Sequence, residues 1–147
     1  MSSNFYNCDC NKSYMPGVMI VENSNKPLWL VKKLLSSINY EVTFETDNGF
    51  EAVEKYPIIQ PDLVISDLTL SKSDGLNVLK EIKKNHPDSI VIIVSSLQGR
   101  KFDECQTSGA SACFSTPISM KKFVTLISGI SASPKKDSKV APVLVDE

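Results

Sequence analysis

Pro61-Asp62-Leu63-Val64-Ile65-Ser66-Asp67-Leu68-Thr69-Leu70-Ser71-Lys72-Ser73-Asp74-Gly75 is the stretch on which the fold turns. After a Pro-Asp turn, Leu63, Val64 and Ile65 make a short apolar run with β-branched members. That pattern suits a strand covered on both faces rather than one with a solvent side. A polar loop follows, closed by Asp74-Gly75, so the strand delivers the carboxylate of Asp67 to its own C-terminal tip. In an open α/β sheet ligands bind in the crevice beyond the carboxyl ends of the strands, which makes Asp67 a candidate for chemistry.

Upstream, Val18-Met19-Ile20-Val21 is a second apolar run of strand length. Glu22-Asn23-Ser24-Asn25 after it offers polar groups and a helix N-cap, with Pro27 tolerated in the first turn. Over residues 28–38, Leu28, Val31, Leu34, Leu35 and Ile38 recur at helical spacing with Lys32 and Lys33 turned away, so this helix is expected to lay one face on a sheet. Trp29 falls off that stripe and is expected to face outward, where an exposed aromatic can anchor a protein contact. Residues 40–44 fit a strand, and 47–56 a helix with Phe50, Val53 and Tyr56 on one side, stopped by Pro57.

Downstream, residues 76–84 are amphipathic and end near His86-Pro87, where His86 is expected to be solvated and without a role. Ile90-Val91-Ile92-Ile93-Val94 is another buried strand, with Ser95 and Ser96 at its tip. Residues 98–108 make a weak helix anchored by Phe102 and Cys105, and residues 109–114 a short last strand. Ser119 caps a final helix that buries Phe123, Val124, Leu126 and Ile127. Five strands alternating with five helices imply an α/β domain, a doubly wound parallel sheet with helices on both faces. The expected organisation is an N-terminal extension over 1–16, one domain over 17–130 and a flexible polar C-terminal tail over 131–147.

Composition narrows the function classes. The 147 residues fit a single domain, and a formal net charge of -1 with both signs interspersed gives no basic field for nucleic acid or an anionic membrane. There is no apolar run of membrane-spanning length and no signal-peptide pattern, so a cytoplasmic protein is expected. Cys8, Cys10, Cys105 and Cys113 are not spaced as a disulfide framework, and two ligands at Cys8 and Cys10 do not close a zinc site. No glycine-rich phosphate loop follows the first strand, which argues against a flavodoxin-like enzyme or nucleotide binder.

Taken as a set, these pieces resemble the receiver domain of two-component response regulators over about residues 17 to 130. The matching features are the acidic position after Val18-Met19-Ile20-Val21, Asp67 with Asp74-Gly75, Ile92-Ile93-Val94-Ser95-Ser96, and Gly109-Ala110 ahead of Thr116-Pro117. The resemblance implies a five-stranded sheet of order 2-1-3-4-5, with Glu22, Asn23, Asp67, Ser95 and Thr116 around one pocket. It further implies that Asp67 accepts a phosphoryl group from a histidine kinase or phosphotransfer protein and that Ser95 contacts the phosphate. Mg²⁺ would be held by Glu22, Asn23, Asp67 and the backbone carbonyl of Thr69. The first helix, with Trp29, would dock the phosphodonor, and output would pass by contact to a downstream effector protein from a monomer or weak homodimer. A cis bond at Thr116-Pro117 belongs to the same resemblance.

Three positions depart from the family pattern. Glu22-Asn23 replaces a pair of acids, Thr116 replaces the lysine that contacts the phosphoryl oxygens, and Cys113 replaces the aromatic that moves when Ser95 turns. Two functional readings follow: an atypical single-domain receiver in phosphorelay signalling, or a phosphorylation-independent pseudo-receiver that serves as a protein-binding module. Neither is an enzyme beyond self-phosphotransfer to Asp67.

Overall fold

The computed structural model describes residues 15–23, 29–70, 73–96, 99–115, 118–131 and 143–145. Elements alternate along the chain: β1 Gly17–Val21, α1 Trp29–Ser37, β2 Glu41–Thr46, α2 Gly49–Ile59, β3 Leu63–Asp67, α3 Gly75–Asn85, β4 Val91–Ser95, α4 Arg100–Thr107, β5 Ala112–Ser115, α5 Met120–Ser131 and β6 Val143–Val145. All strand pairings are parallel, and the sheet order is β2-β1-β3-β4-β5-β6. The expected order 2-1-3-4-5 is present, with a sixth strand added outside β5.

Side chains of successive strand residues point to opposite faces, and both faces are apolar here, so the strands read as continuous hydrophobic runs. Met19, Val21, Val64, Val91, Ile93 and Cys113 share one core with Ala52 and Tyr56 of α2, Leu79 and Ile82 of α3, and Phe102 and Cys105 of α4. Val18, Ile20, Leu63, Ile65, Ile92, Val94 and Phe114 share the other with Val31 and Leu35 of α1 and Phe123 and Ile127 of α5. Tyr40 joins the second core and its hydroxyl donates to the carbonyl of Ile127 at 3.0 Å, so the buried phenol is satisfied. Burial pushes the Cys113 thiol up to about 12 and the Cys105 thiol up to about 11, leaving both as inert core groups.

Four expectations change. Helix α2 runs through Pro57 to Ile59 rather than stopping before it; the proline removes one N–H bond and crowds the carbonyl four residues back, but the helix ends within a turn of it. The helix ends at Gln60 in the left-handed conformation, whose N–H donates to the Tyr56 carbonyl at 2.8 Å. Phe50 is exposed; Tyr56 is buried and Val53 packs partly against the core as expected, and Ala52 completes the buried face of α2. Lys32 is not simply turned to solvent: it reaches the tips of β1 and β2. The tail expected over 131–147 gives way at Val143–Val145 to a strand in register with Ala112, Cys113 and Phe114, which makes six strands rather than five. An apolar triplet with two β-branched valines meets the strand preference even though polar residues precede it.

The turn from β3 into α3 depends on a close approach. A Cβ added to Gly75 would stand 2.8 Å from the Leu68 Cα and closer still to the Asp67 carbonyl oxygen. The Gly75 N–H donates to the Leu68 carbonyl at 2.7 Å. Gly75→Ala is therefore expected to lower unfolding free energy by about 1–3 kcal/mol, as overpacking does. Urea denaturation of both proteins checks this, and an unchanged midpoint would show that the backbone yields at no cost.

Candidate functional site

Strand register assembles the site. Val21 pairs with Ser66, so Glu22 and Asp67, each one step further, stand on adjacent tips. Asp67 pairs with Val94, which puts Ser95 one step beyond it on the next strand, and Ser95 pairs with Ser115. The carboxylate of Asp67 and the hydroxyl of Ser95 thus lie at the carboxyl end of the sheet on neighbouring central strands. Asp67 is 6% exposed and Ser95 1%, which removes them from bulk water and strengthens any charge interaction there. The Glu22 side chain is 13% exposed.

Each position is fixed by backbone. Glu22 donates its N–H to the Thr46 carbonyl at 3.0 Å, extending the β1–β2 ladder by one residue. Leu68 donates to the Val94 carbonyl at 3.0 Å, and the Thr69 N–H donates to Oδ1 of Asp67 at 3.2 Å. That N–H is a fixed donor that orients the carboxylate. The loop returns through a bridge between Thr69 and Asp74. Asp74 then caps α3, its Oδ1 accepting from the Asn77 N–H at 2.8 Å.

Two cations border the site that sequence spacing did not point to. Lys32 Nζ lies 2.8 Å from Oε1 of Glu45 and 3.7 Å from Oε2 of Glu22. The Glu45 hydrogen bond, opposed by partial burial and helped by the Glu22 charge, holds the ammonium above its ordinary pKa. Lys101 Nζ lies 2.8 Å from Oδ2 of Asp74, joining α4 to the loop that carries Thr69. Leu68, Thr69, Ser73, Asp74, Arg100 and Lys101 are among the residues lining a cleft of about 680 Å³ beside that loop. Only contacts between distant segments reveal either cation, so a helical wheel placed Lys32 outside and gave Lys101 no role.

Among the described residues no three His, Cys, Asp or Glu side chains cluster to hold a metal. The donor chemistry here, two carboxylates on adjacent tips with an amide and a backbone carbonyl nearby, fits a hard cation that keeps several waters, as Mg²⁺ does. Asn23 is half-buried directly after Glu22. Thr116 and Pro117 lie outside the described residues, as do residues 1–14 with Cys8 and Cys10; Trp29 opens α1, and its side chain is likewise outside them. Cys113 is fully buried beneath α4 with Cys105. No helix among the described residues is long and apolar enough to cross a membrane.

The sheet is doubly wound and parallel, and an acid, a hydroxyl and a second acid stand on three neighbouring strand tips at its carboxyl end, where ligands of such sheets bind. The model of the response regulator receiver domain matches residues 18–128, and the chain belongs to that family. It is 31% identical over 115 residues to the chemotaxis protein CheY of Thermotoga maritima, covering 78% of this chain and 96% of that protein. It is 32% identical over 114 residues to the polar-differentiation response regulator DivK of Brucella anthropi, covering 75% and 91%. The signal receiver domain of a modulated diguanylate cyclase from Desulfovibrio desulfuricans superposes with a TM-score of 0.72 at 25% identity, covering 84% of this chain and 98% of that one. Receiver domains of this family serve two-component signalling and generally bind Mg²⁺ at the phosphorylation site.

Burial raises the pKa of Asp74, but the Lys101 hydrogen bond, the Asn77 N–H and the charges of Lys101 and Lys80 outweigh it and leave the carboxyl below its ordinary 3.8. A depressed acid stabilises the fold above its unfolded pKa and loses that contribution as pH falls through the lowered folded value. Asp74→Asn keeps a capping acceptor and removes the charge. At neutral pH it is expected to cost well under about 1 kcal/mol, the scale of an exposed pair. That difference should shrink to nothing as pH drops below 3.8 in chemical denaturation, and a difference independent of pH would assign the loss to the cap alone.

Proposed function

We propose that this chain is an atypical receiver in a cytoplasmic phosphorelay, with Asp67 as phosphoacceptor and output by protein contact. The observation that supports it most is the placement of Asp67 and Ser95 on adjacent buried strand tips with Glu22 opposite. An Asp67 oxygen attacks the phosphorus of a phosphohistidine on a histidine kinase or phosphotransfer protein. The P–O bond forms as the P–N bond breaks, and the imidazole leaves with the electron pair. Both partners in that step are anionic, so fixed donors and positive charge must offset the repulsion. The Thr69 N–H is already on Asp67, and the Ser95 hydroxyl, from the next strand tip, would donate to a phosphoryl oxygen. Glu22, Asn23, Asp67 and the Thr69 carbonyl would hold Mg²⁺, which supplies charge neutralisation for the transferring group.

The departures set the rate and the readout rather than the geometry. With threonine at 116, the phosphoryl group lacks the family's lysine contact, and with cysteine at 113 no ring follows Ser95. Lys32 is shared between Glu22 and Glu45, so a cation at the acidic tip must compete with an ammonium. Replacing Lys32 with Met is expected to tighten Mg²⁺ binding about two- to fivefold, the span of an ion pair at this exposure. Unchanged affinity in a Mg²⁺ titration would remove Lys32 from the site. Helix α1, beginning at Trp29, is the docking face for the phosphodonor, and a downstream effector reads the protein as a monomer or weak homodimer.

A second reading, a pseudo-receiver that binds partners without phosphorylation, is favoured by Asn23 and by the Lys32–Glu22 pair. Incubation with Mg²⁺ and acetyl phosphate, followed by intact-mass analysis, separates the two. The receiver reading expects one added phosphoryl group on wild type and none on Asp67→Ala. No addition from acetyl phosphate or from a panel of phosphorylated histidine phosphotransfer domains would favour the pseudo-receiver.

A further inference from the structure

The two edges of the β2-to-β5 sheet are built differently. β2 exposes Glu41, Thr43 and Glu45 in alternation, a polar and charged edge of the kind that resists pairing with another strand. β5, Ala112-Cys113-Phe114-Ser115, carries no charge, and its first three residues are at most 1% exposed. An edge of this composition is a template for strand addition unless something covers it. The cover is Val143–Val145, parallel to β5 and paired as Ala112↔Val143, Cys113↔Leu144 and Phe114↔Val145.

We propose that the outer edge of β5 is a strand-accepting surface, held closed in cis by Val143–Val145 and able to take an extended apolar segment of a partner protein in the same parallel register. The chain's own strand shows the chemistry that the edge accepts: three apolar residues, two of them β-branched, followed by Asp146 and Glu147. Main-chain pairing supplies the grip and the apolar side chains the selectivity, as in other strand-addition contacts. Among the described residues three pairs hold the cover, so its advantage is proximity. It is tethered to α5 through residues 132–142, and a short tether gives an effective concentration of about millimolar order. A partner segment with a longer run of pairs outcompetes it.

The test uses the full chain in three forms: wild type, Leu144→Pro, and Val143→Pro combined with Val145→Pro. Alternate residues of a strand turn their N–H groups to opposite sides, so one of the two proline forms must remove donors from the β5 ladder. Backbone hydrogen exchange at 112–114 should be about tenfold faster in that form than in wild type, while β1 and β3 stay slow. A synthetic peptide of residues 141–147, titrated to several times about 1 mM, should restore slow exchange in that form. It should leave wild type unchanged, and a scrambled peptide should do nothing. Wild-type exchange in both proline forms would overturn the cis cover. Faster exchange that the peptide fails to slow, or that the scrambled peptide slows equally, would overturn the strand-accepting surface.

Discussion

The contact of Gly75 with the backbone of Asp67 and Leu68 governs how the Asp67 carboxylate is presented. No side chain fits between the start of α3 and the end of β3, so the two elements meet main chain to main chain. The Gly75 N–H to Leu68 carbonyl bond and the Asp74 cap on Asn77 fix where the loop returns. At the start of that loop the Thr69 N–H donates to Asp67. Asp67 is held by that return and by its register with Val94, while the two apolar cores fix the strands themselves.

Position and reactivity separate in this molecule. Burial of Asp67 and Ser95 and the adjacency of Glu22 come from strand register, which tolerates any side chain at the tips. Reactivity depends on which side chains stand there, and that is where the chain departs from its family. Asn23 removes one negative charge, and Lys32 partly neutralises the acid that remains. Lys101 instead sits on Asp74 and ties α4 to the turn that follows Asp67. Both of these ammonium groups are thus placed on carboxylates of the chain itself.

Much of this was legible in the residue pattern because buried parallel strands announce themselves. Val18-Met19-Ile20-Val21, Leu63-Val64-Ile65 and Val91-Ile92-Ile93-Val94 are apolar on both faces, so their strands, and the acids and hydroxyl at their tips, follow from local sequence. Local rules failed where tertiary context decides. Pro57 looked like a stop, yet a last-turn proline leaves the rest of α2 bonded. Phe50 looked like core, but its position on α2 faces solvent while Ala52 faces Met19 and its neighbours. The length of its side chain lets Lys32 reach back to two strand ends, which no wheel projection represents. Val143–Val145 is too short to carry a period and becomes a strand only because an uncharged edge is there to receive it.

The central claim is that Glu22, Asp67 and Ser95 form one phosphoryl-binding pocket at the carboxyl end of the sheet. Beryllofluoride with Mg²⁺ mimics an aspartyl phosphate, and a backbone NMR titration with it reads that pocket residue by residue. Saturable shifts at Glu22, at Asp67 to Thr69 and at Ser95 are the predicted result, with Asp62 and Ser89 at the opposite end of the strands unmoved. Shifts confined to the other end, or none at Asp67 and Ser95 when both reagents are in excess, would contradict it.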